Sequence, residues 1–281
     1  MSIELEATGE RVIEDAYRES LGGYVIYLMH IASYQFARPY CAGRNVLDLG
    51  CGSGYGAASL ADVAASVTAV DVSEEAVAFA SDRYRAANLR YLKIDEERPL
   101  PFADAQFDVI LSFQVIEHVL DEAAYLREAR RVLKTGGVMI IVTPNRGVRL
   151  LPFQKPWNRW HVREYSMASL RRLVAPWLEI REAHCMGAVD KVADVELKRY
   201  RTVKWAMLPL TLPFIPDALR RRGLDAVHAI RAKKAKRSSQ AAPALEFDFD
   251  ASAMQIGPAV PNPLNLVLVA ERQGEGDASG P

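Results

Sequence analysis

Between Asn45 and Ala58 the sequence runs NVLDLGCGSGYGAA, with glycine at positions 50, 52, 54 and 56 and one carboxylate, Asp48, inside the apolar stretch before them. The pattern predicts a buried strand, a glycine-rich turn and the start of a helix. Glycine opens backbone angles closed to residues with a Cβ and lets the main chain touch a ligand. The first N–H groups of the helix attract negative charge. A carboxylated or phosphorylated ligand is therefore expected at Gly50, Gly52 and Gly54. Gly52, Gly54 and Ala57 also fit the GxGxxA form of the dinucleotide fingerprint, so the glycines alone leave NAD open. Asp48 points elsewhere, because a carboxylate in the turn repels a pyrophosphate and attracts an amino group.

Asp71 ends the β-rich run AVDVS, 21 positions beyond Gly50. A carboxylate at that offset accepts both ribose hydroxyls of an adenosine cofactor and repels a 2′-phosphate. Further on come Asp95 and Glu96, then LPFADAQFDVILSFQVIEHV with Gln114 and His118, then LKTGGVMIIVTPN and the loop PWNRWHVREY. VLDLGCGSG resembles motif I of the class I S-adenosylmethionine-dependent methyltransferases. The LPF…FD…EHV stretch is similar to the later motif of their type 11 group, and LKTGGVMIIVTPN to that group's fifth strand. The resemblance covers roughly Gly9 to Trp177. It implies S-adenosyl-L-methionine as cofactor and S-adenosyl-L-homocysteine as product, with Asp48, the glycines, Asp71, Val72, Asp95 or Glu96, and Gln114 at the cofactor. Tyr34 is a weaker cofactor candidate, core packing being its alternative role.

Transfer from a sulfonium discharges positive charge, so the main requirement is alignment of acceptor, methyl and leaving sulfur, worth roughly 7–11 kcal/mol when complete. An alcohol acceptor must also lose its proton. Histidine is the natural base near neutral pH, and His118 and His161 are the two candidates. The aromatic loop, with Trp157, Trp160 and Tyr165, suits a sugar ring or another flat, partly apolar acceptor. Equally, it suits a loop packed on its own tryptophans. The expected function is O-methylation of a sugar hydroxyl on a glycan, glycolipid or secondary metabolite. Methylation of a quinone or other lipophilic molecule is one alternative, and a catalytically silent cofactor-binding partner is another. No paired carboxylates and histidines stand at ligand spacing, so no metal is expected.

The elements that must position these groups alternate regularly. Strands are expected at Asn45–Leu49, Ser66–Asp71, Leu89–Ile94, Phe107–Ser112 and Val138–Thr143, with helices between them: one over Gly56–Ala64, one capped by Ser73, and one capped by Asp121 and stopped by Gly136-Gly137. Leu178–Met186 and an antiparallel Pro263–Glu271 complete an α/β, Rossmann-like, doubly wound sheet of seven strands. The uncharged run Leu21–Ala37 is too polar for a span of ~20 residues; Tyr24, Leu28, Ile31 and Gln35 recur at helical spacing, giving an amphipathic helix over the glycine turn.

The chain of 281 residues, half of them hydrophobic, suffices for one sizeable core. Its expected organisation is an N-terminal helical cap (1–43), a cofactor-binding core (44–190), an insertion (191–245), terminal strands (246–272) and a disordered tail (273–281). Net charge is zero overall, but Lys191–Gln240 holds 13 Lys or Arg against 4 Asp or Glu. That insertion reads first as a helical lid over the acceptor, second as a contact with an anionic membrane face. No nucleic-acid module accompanies its basic runs. Cys41, Cys51 and Cys185 lack metal or disulfide spacing, and the charged N-terminus lacks a signal-peptide pattern, so a cytoplasmic location is expected, with peripheral membrane contact as an addition.

Overall fold

The computed structural model describes residues 20–238 and 247–274; the first part of the helical cap, the end of the insertion and the tail beyond 274 lie outside the described residues. The chain forms α1 (Leu21–Cys41), β1 (Asn45–Leu49), α2 (Tyr55–Ala58), β2 (Ser66–Asp71), α3 (Glu74–Arg83), β3 (Leu89–Lys93), β4 (Phe107–Phe113) and α4 (Glu122–Val132). There follow β5 (Leu133–Pro144), α5 (Arg146–Arg149), α6 (Met167–Val174), β6 (Glu179–Ala188), α7 (Asp190–Ala206), α8 (Asp217–Ser238), β7 (Met254–Gly257) and β8 (Asn265–Glu271).

The strands join one sheet in the order β3-β2-β1-β4-β5-β8-β6-β7. β1 to β5 are mutually parallel, and β8 runs antiparallel between β5 and β6. The expected seven strands are thus eight. β7 pairs antiparallel with β6 at the sheet edge, and its four residues, MQIG, are too short to announce themselves by alternation. β1, β4 and β8 are nearly continuous apolar runs because both faces of the sheet are covered. One face packs on α1, α2 and α7, the other on α4 and α6.

Helix starts follow their caps: Ser20 accepts from Gly23 N–H, Ser73 from Ala76 and Asp121 from Ala124. Three expectations need correction. α2 is a single turn rather than a helix to Ala64, the chain continuing to Ala64 through successive turns. α4 ends at Val132, before Gly136-Gly137, because Leu133 already pairs with Phe107 in the sheet. Of the expected α1 stripe, Tyr24 and Leu28 are buried, Ile31 is half-buried and Gln35 is exposed, the buried face running instead through Val25, Met29, Ala32 and Ala37. Among the described residues no helix is long and apolar enough to cross a membrane, and the three cysteines form no disulfide.

The strand order reverses between β1 and β4, so their C-terminal ends open a crevice at the switch point. The glycine turn follows β1 there, and Gln114 follows β4.

Candidate active site

Asp48 sits one residue before the end of β1, buried beneath α1. Its Oδ2 accepts from the Tyr34 hydroxyl at 2.9 Å, while Oδ1 is buried with no hydrogen-bond partner among the described residues. Burial pushes the carboxyl up to about 7; the Tyr34 bond opposes this and the nearby Asp71 charge adds to it. Gly56 lets Tyr34 come so close, since a Cβ there would overlap the ring. Tyr34 is thereby placed as a core residue that orients Asp48. At Gly52, with φ +55°, nothing lies within 4 Å of where a Cβ would point, so its backbone faces open space.

Asp71 closes β2 and fastens the turn: Oδ2 accepts from Gly52 N–H at 2.9 Å and Oδ1 from Ser73 N–H at 2.8 Å. Each oxygen keeps a further lone pair for a ligand. Val72 is exposed beyond it. Asp95 and Glu96 are exposed in the loop after β3, where Asp95 accepts from Glu97 N–H at 3.0 Å and faces Arg98 at 3.3 Å. Gln114 takes the left-handed conformation with φ +58°, a strained choice for a non-glycine residue and one that clusters at functional sites.

Gln114 also borders a cleft between α1, two strand ends, the loop after α5 and α7. α1 contributes Met29 and His30, the strand ends Pro144 and Asn265, and the loop after α5 Trp157 and His161. Arg199 and Tyr200 come from α7, so the first helix of the insertion is a wall of the cleft. Arg220, first of the three consecutive arginines, is buried and donates to the Pro156 carbonyl at 2.8 Å, tying α8 to the same loop.

His161 is buried, and its Nδ1 lies 2.9 Å from Glu164 Oε1. Burial would raise the Glu164 carboxyl, but Arg149, 3.0 Å away, and His161 hold it below the usual range. An ionised carboxylate only accepts, so Nδ1 of His161 carries the proton and Nε2 is the basic nitrogen. His118 is half-buried, its ring 4.9 Å from that of His161, and its Nδ1 donates to the Trp160 carbonyl at 3.2 Å. Between them Glu117 is fully buried; Oε2 accepts from Thr143 at 2.8 Å.

The three aromatics expected at the acceptor separate. Trp157 borders the cleft, but the Arg149 guanidinium covers its ring at 4.4 Å. Trp160 is half-exposed and stacks with Arg159 at 4.2 Å. Tyr165 is buried away from the cleft, its hydroxyl engaged by Glu122 and the Ile116 carbonyl, because the bridge between Asn145 and Tyr165 turns it into the core.

Residues 47–141 match the model of a methyltransferase domain. The region spans the glycine turn, Asp71 and β4 with the Gln114 that follows it. This domain belongs to the class I S-adenosylmethionine-dependent methyltransferases.

The chain is 41% identical over 170 residues to a probable S-adenosylmethionine-dependent methyltransferase of Mycolicibacterium smegmatis, covering 60% of this chain and 63% of that protein. It is 34% identical over 159 residues to the ubiquinone biosynthesis O-methyltransferase of Pseudomonas aeruginosa, covering 56% and 66%. The match therefore spans about three fifths of the length of the mycobacterial relatives. Among solved structures, an S-adenosylmethionine-dependent methyltransferase from Mesorhizobium loti superposes with a TM-score of 0.53 at 14% identity, covering 90% of this chain and all of that one, which shows the shared fold.

The residues of this methyltransferase domain fit the family's cofactor. S-adenosyl-L-methionine carries an ammonium and a carboxylate beside a methylated sulfonium. The buried, unpartnered Asp48 Oδ1 suits the ammonium, and the open space beside Gly52, whose N–H is held by Asp71, leaves room for the cofactor to lie against the turn. Asp71 would hold hydroxyls through its remaining lone pairs. The cofactor, when bound, supplies the activated methyl group.

Sequence reasoning missed Glu117, Arg149, Arg199 and Tyr200. Glu117 was visible only as the neighbour of His118. The other three reach the cleft through packing that no local pattern encodes.

Proposed function

We propose that this chain is a methyltransferase acting on a hydroxyl of an acceptor held between α1, the ends of β4 and β5, and α7. The observation that carries this reading is the His161–Glu164 pair, a histidine on the wall of the cleft whose Nδ1 proton a buried carboxylate holds at 2.9 Å. That leaves Nε2 to take a proton from an alcohol. His118 stands beside it as the second group able to hold that proton. Positioning falls to the cleft walls, with α7 as the lid that excludes water.

A sugar hydroxyl of a glycan, glycolipid or secondary metabolite is the favoured acceptor, since Asn158, Arg199 and Tyr200 give a polar rim to a partly aromatic cleft. The likeness to ubiquinone biosynthesis O-methyltransferases favours a quinone-like acceptor as the second reading. Formation of S-adenosyl-L-homocysteine in the presence of glycan, glycolipid and catechol panels tests both. The expected result is turnover with a sugar that falls at least a hundredfold in His161→Ala. Cofactor binding with no turnover on any panel would support a silent binding partner instead.

A further inference from the structure

Glu117, His118 and His161 come from two separate stretches of chain, yet one ligand-type atom from each lies within 4.8 Å of the others. We propose that this cluster is a binding site for a first-row divalent transition-metal cation, with the Glu117 carboxylate and the two imidazoles as ligands. Sequence spacing alone gave no such expectation, because His161 lies 43 residues beyond His118.

Two independent features point to a cation. Glu117 is fully buried, and its Oε1 has no hydrogen-bond partner among the described residues. A carboxylate oxygen in that position is costly unless something positive meets it. Second, each of the three side chains is already oriented from behind. Thr143 holds Glu117 Oε2 at 2.8 Å, the Trp160 carbonyl holds His118 Nδ1 at 3.2 Å, and Glu164 holds His161 Nδ1 at 2.9 Å. A carboxylate or carbonyl on one ring nitrogen, turning the other toward the ion, is the outer-shell arrangement that accompanies metal-ligating histidines.

Two imidazoles and one carboxylate suit zinc, iron or nickel better than magnesium or calcium, which prefer oxygen. Donors bonded at ~2.0–2.2 Å lie at most about 4.4 Å apart, so loading draws the cluster slightly inward. Three protein ligands leave coordination positions open, and His161 places the site on the cleft wall. Resting on the methyltransferase reading, a cation there lowers the pKa of an acceptor hydroxyl, and His161 becomes a ligand in place of a base.

The test uses the full chain stripped with chelator and titrated with cobalt(II) and with zinc, without cofactor or acceptor. One equivalent of cobalt binding with visible d–d absorption is expected, displaced by zinc and weakened at least tenfold in Glu117→Gln and in His118→Ala. His184→Ala, remote from the cluster, leaves it unchanged. His118 is half-buried, so its alanine variant keeps the test open if Glu117→Gln does not fold. Absence of a stoichiometric site, or binding that survives both substitutions, overturns the proposal. A parallel calorimetric titration with S-adenosylmethionine separates the two readings: cofactor binding without metal sinks only the metal site, and metal binding without cofactor sinks the methyltransferase reading.

Discussion

The Tyr34 hydroxyl donates to Asp48 Oδ2 at 2.9 Å, joining α1 to the last turn of apolar strand before the glycines. Through this bond the helix that covers the site also sets the carboxylate that most directly marks it. The other Asp48 oxygen stays available to a cationic ligand.

Cofactor affinity should rise with pH. Burial holds the Asp48 carboxyl at about 7 in the folded chain, against about 3.9 when unfolded. The folded state therefore binds this proton more tightly, so the group's contribution to stability declines as pH rises from about 4 to about 7 and is level above. An ammonium needs the ionised form, which grows about tenfold between pH 6 and pH 8 for a group titrating near 7. Calorimetric titration with S-adenosylmethionine should follow that rise, and Asp48→Asn should bind weakly and without it. An affinity flat across this range in the unmodified protein would argue against an ammonium at Asp48.

Gly56→Ala should destabilise the domain. The new Cβ overlaps the Tyr34 ring, and overpacking of this kind costs ~1–3 kcal/mol. Urea denaturation reads the loss, and Tyr34→Ala added to the same chain should recover part of it. A Gly56→Ala protein as stable as the parent would mean that α1 does not pack on the turn as described.

Removing one member of the buried Arg149–Glu164 pair should cost ~3–5 kcal/mol, since the other charge is left without its partner. Replacing both by methionine should cost clearly less than the sum of the single changes. A denaturation double-mutant cycle measures the coupling, and additive single effects would count against it.

The insertion offers a membrane test. Phe214 is 76% and Leu219 57% exposed, and Arg221 and Arg222 lie exposed on the same segment. Sedimentation with vesicles should show binding to anionic but not neutral lipid, reversed by salt and lost in Phe214→Asp/Leu219→Asp. No binding at low salt would argue against a membrane contact through this segment.

Much of the fold was legible because its signals are local. Alternating apolar runs, Ser73 and Asp121 as caps, and glycines after β1 each act within a few residues, and β1 and β2 fall on their expected bounds. The antiparallel β8 was legible too, from the apolar run Pro263–Glu271. β7 was not, because an edge strand of four residues is decided by its partner β6 rather than by its own pattern.

The site divides along the same line. From the sequence alone came the residue types at one sheet edge: Asp48, Asp71, Gln114 and the two histidines, each at the end of a recognisable strand or in the loop beyond. Only the tertiary structure decided that Tyr34 bonds to Asp48, that Tyr165 turns into the core, and that α7 lines the cleft with Arg199. It alone brought Glu117, His118 and His161 together. Strand and turn preferences are set by neighbours along the chain, whereas these meetings depend on how α1, α7 and the loop after α5 pack across the sheet.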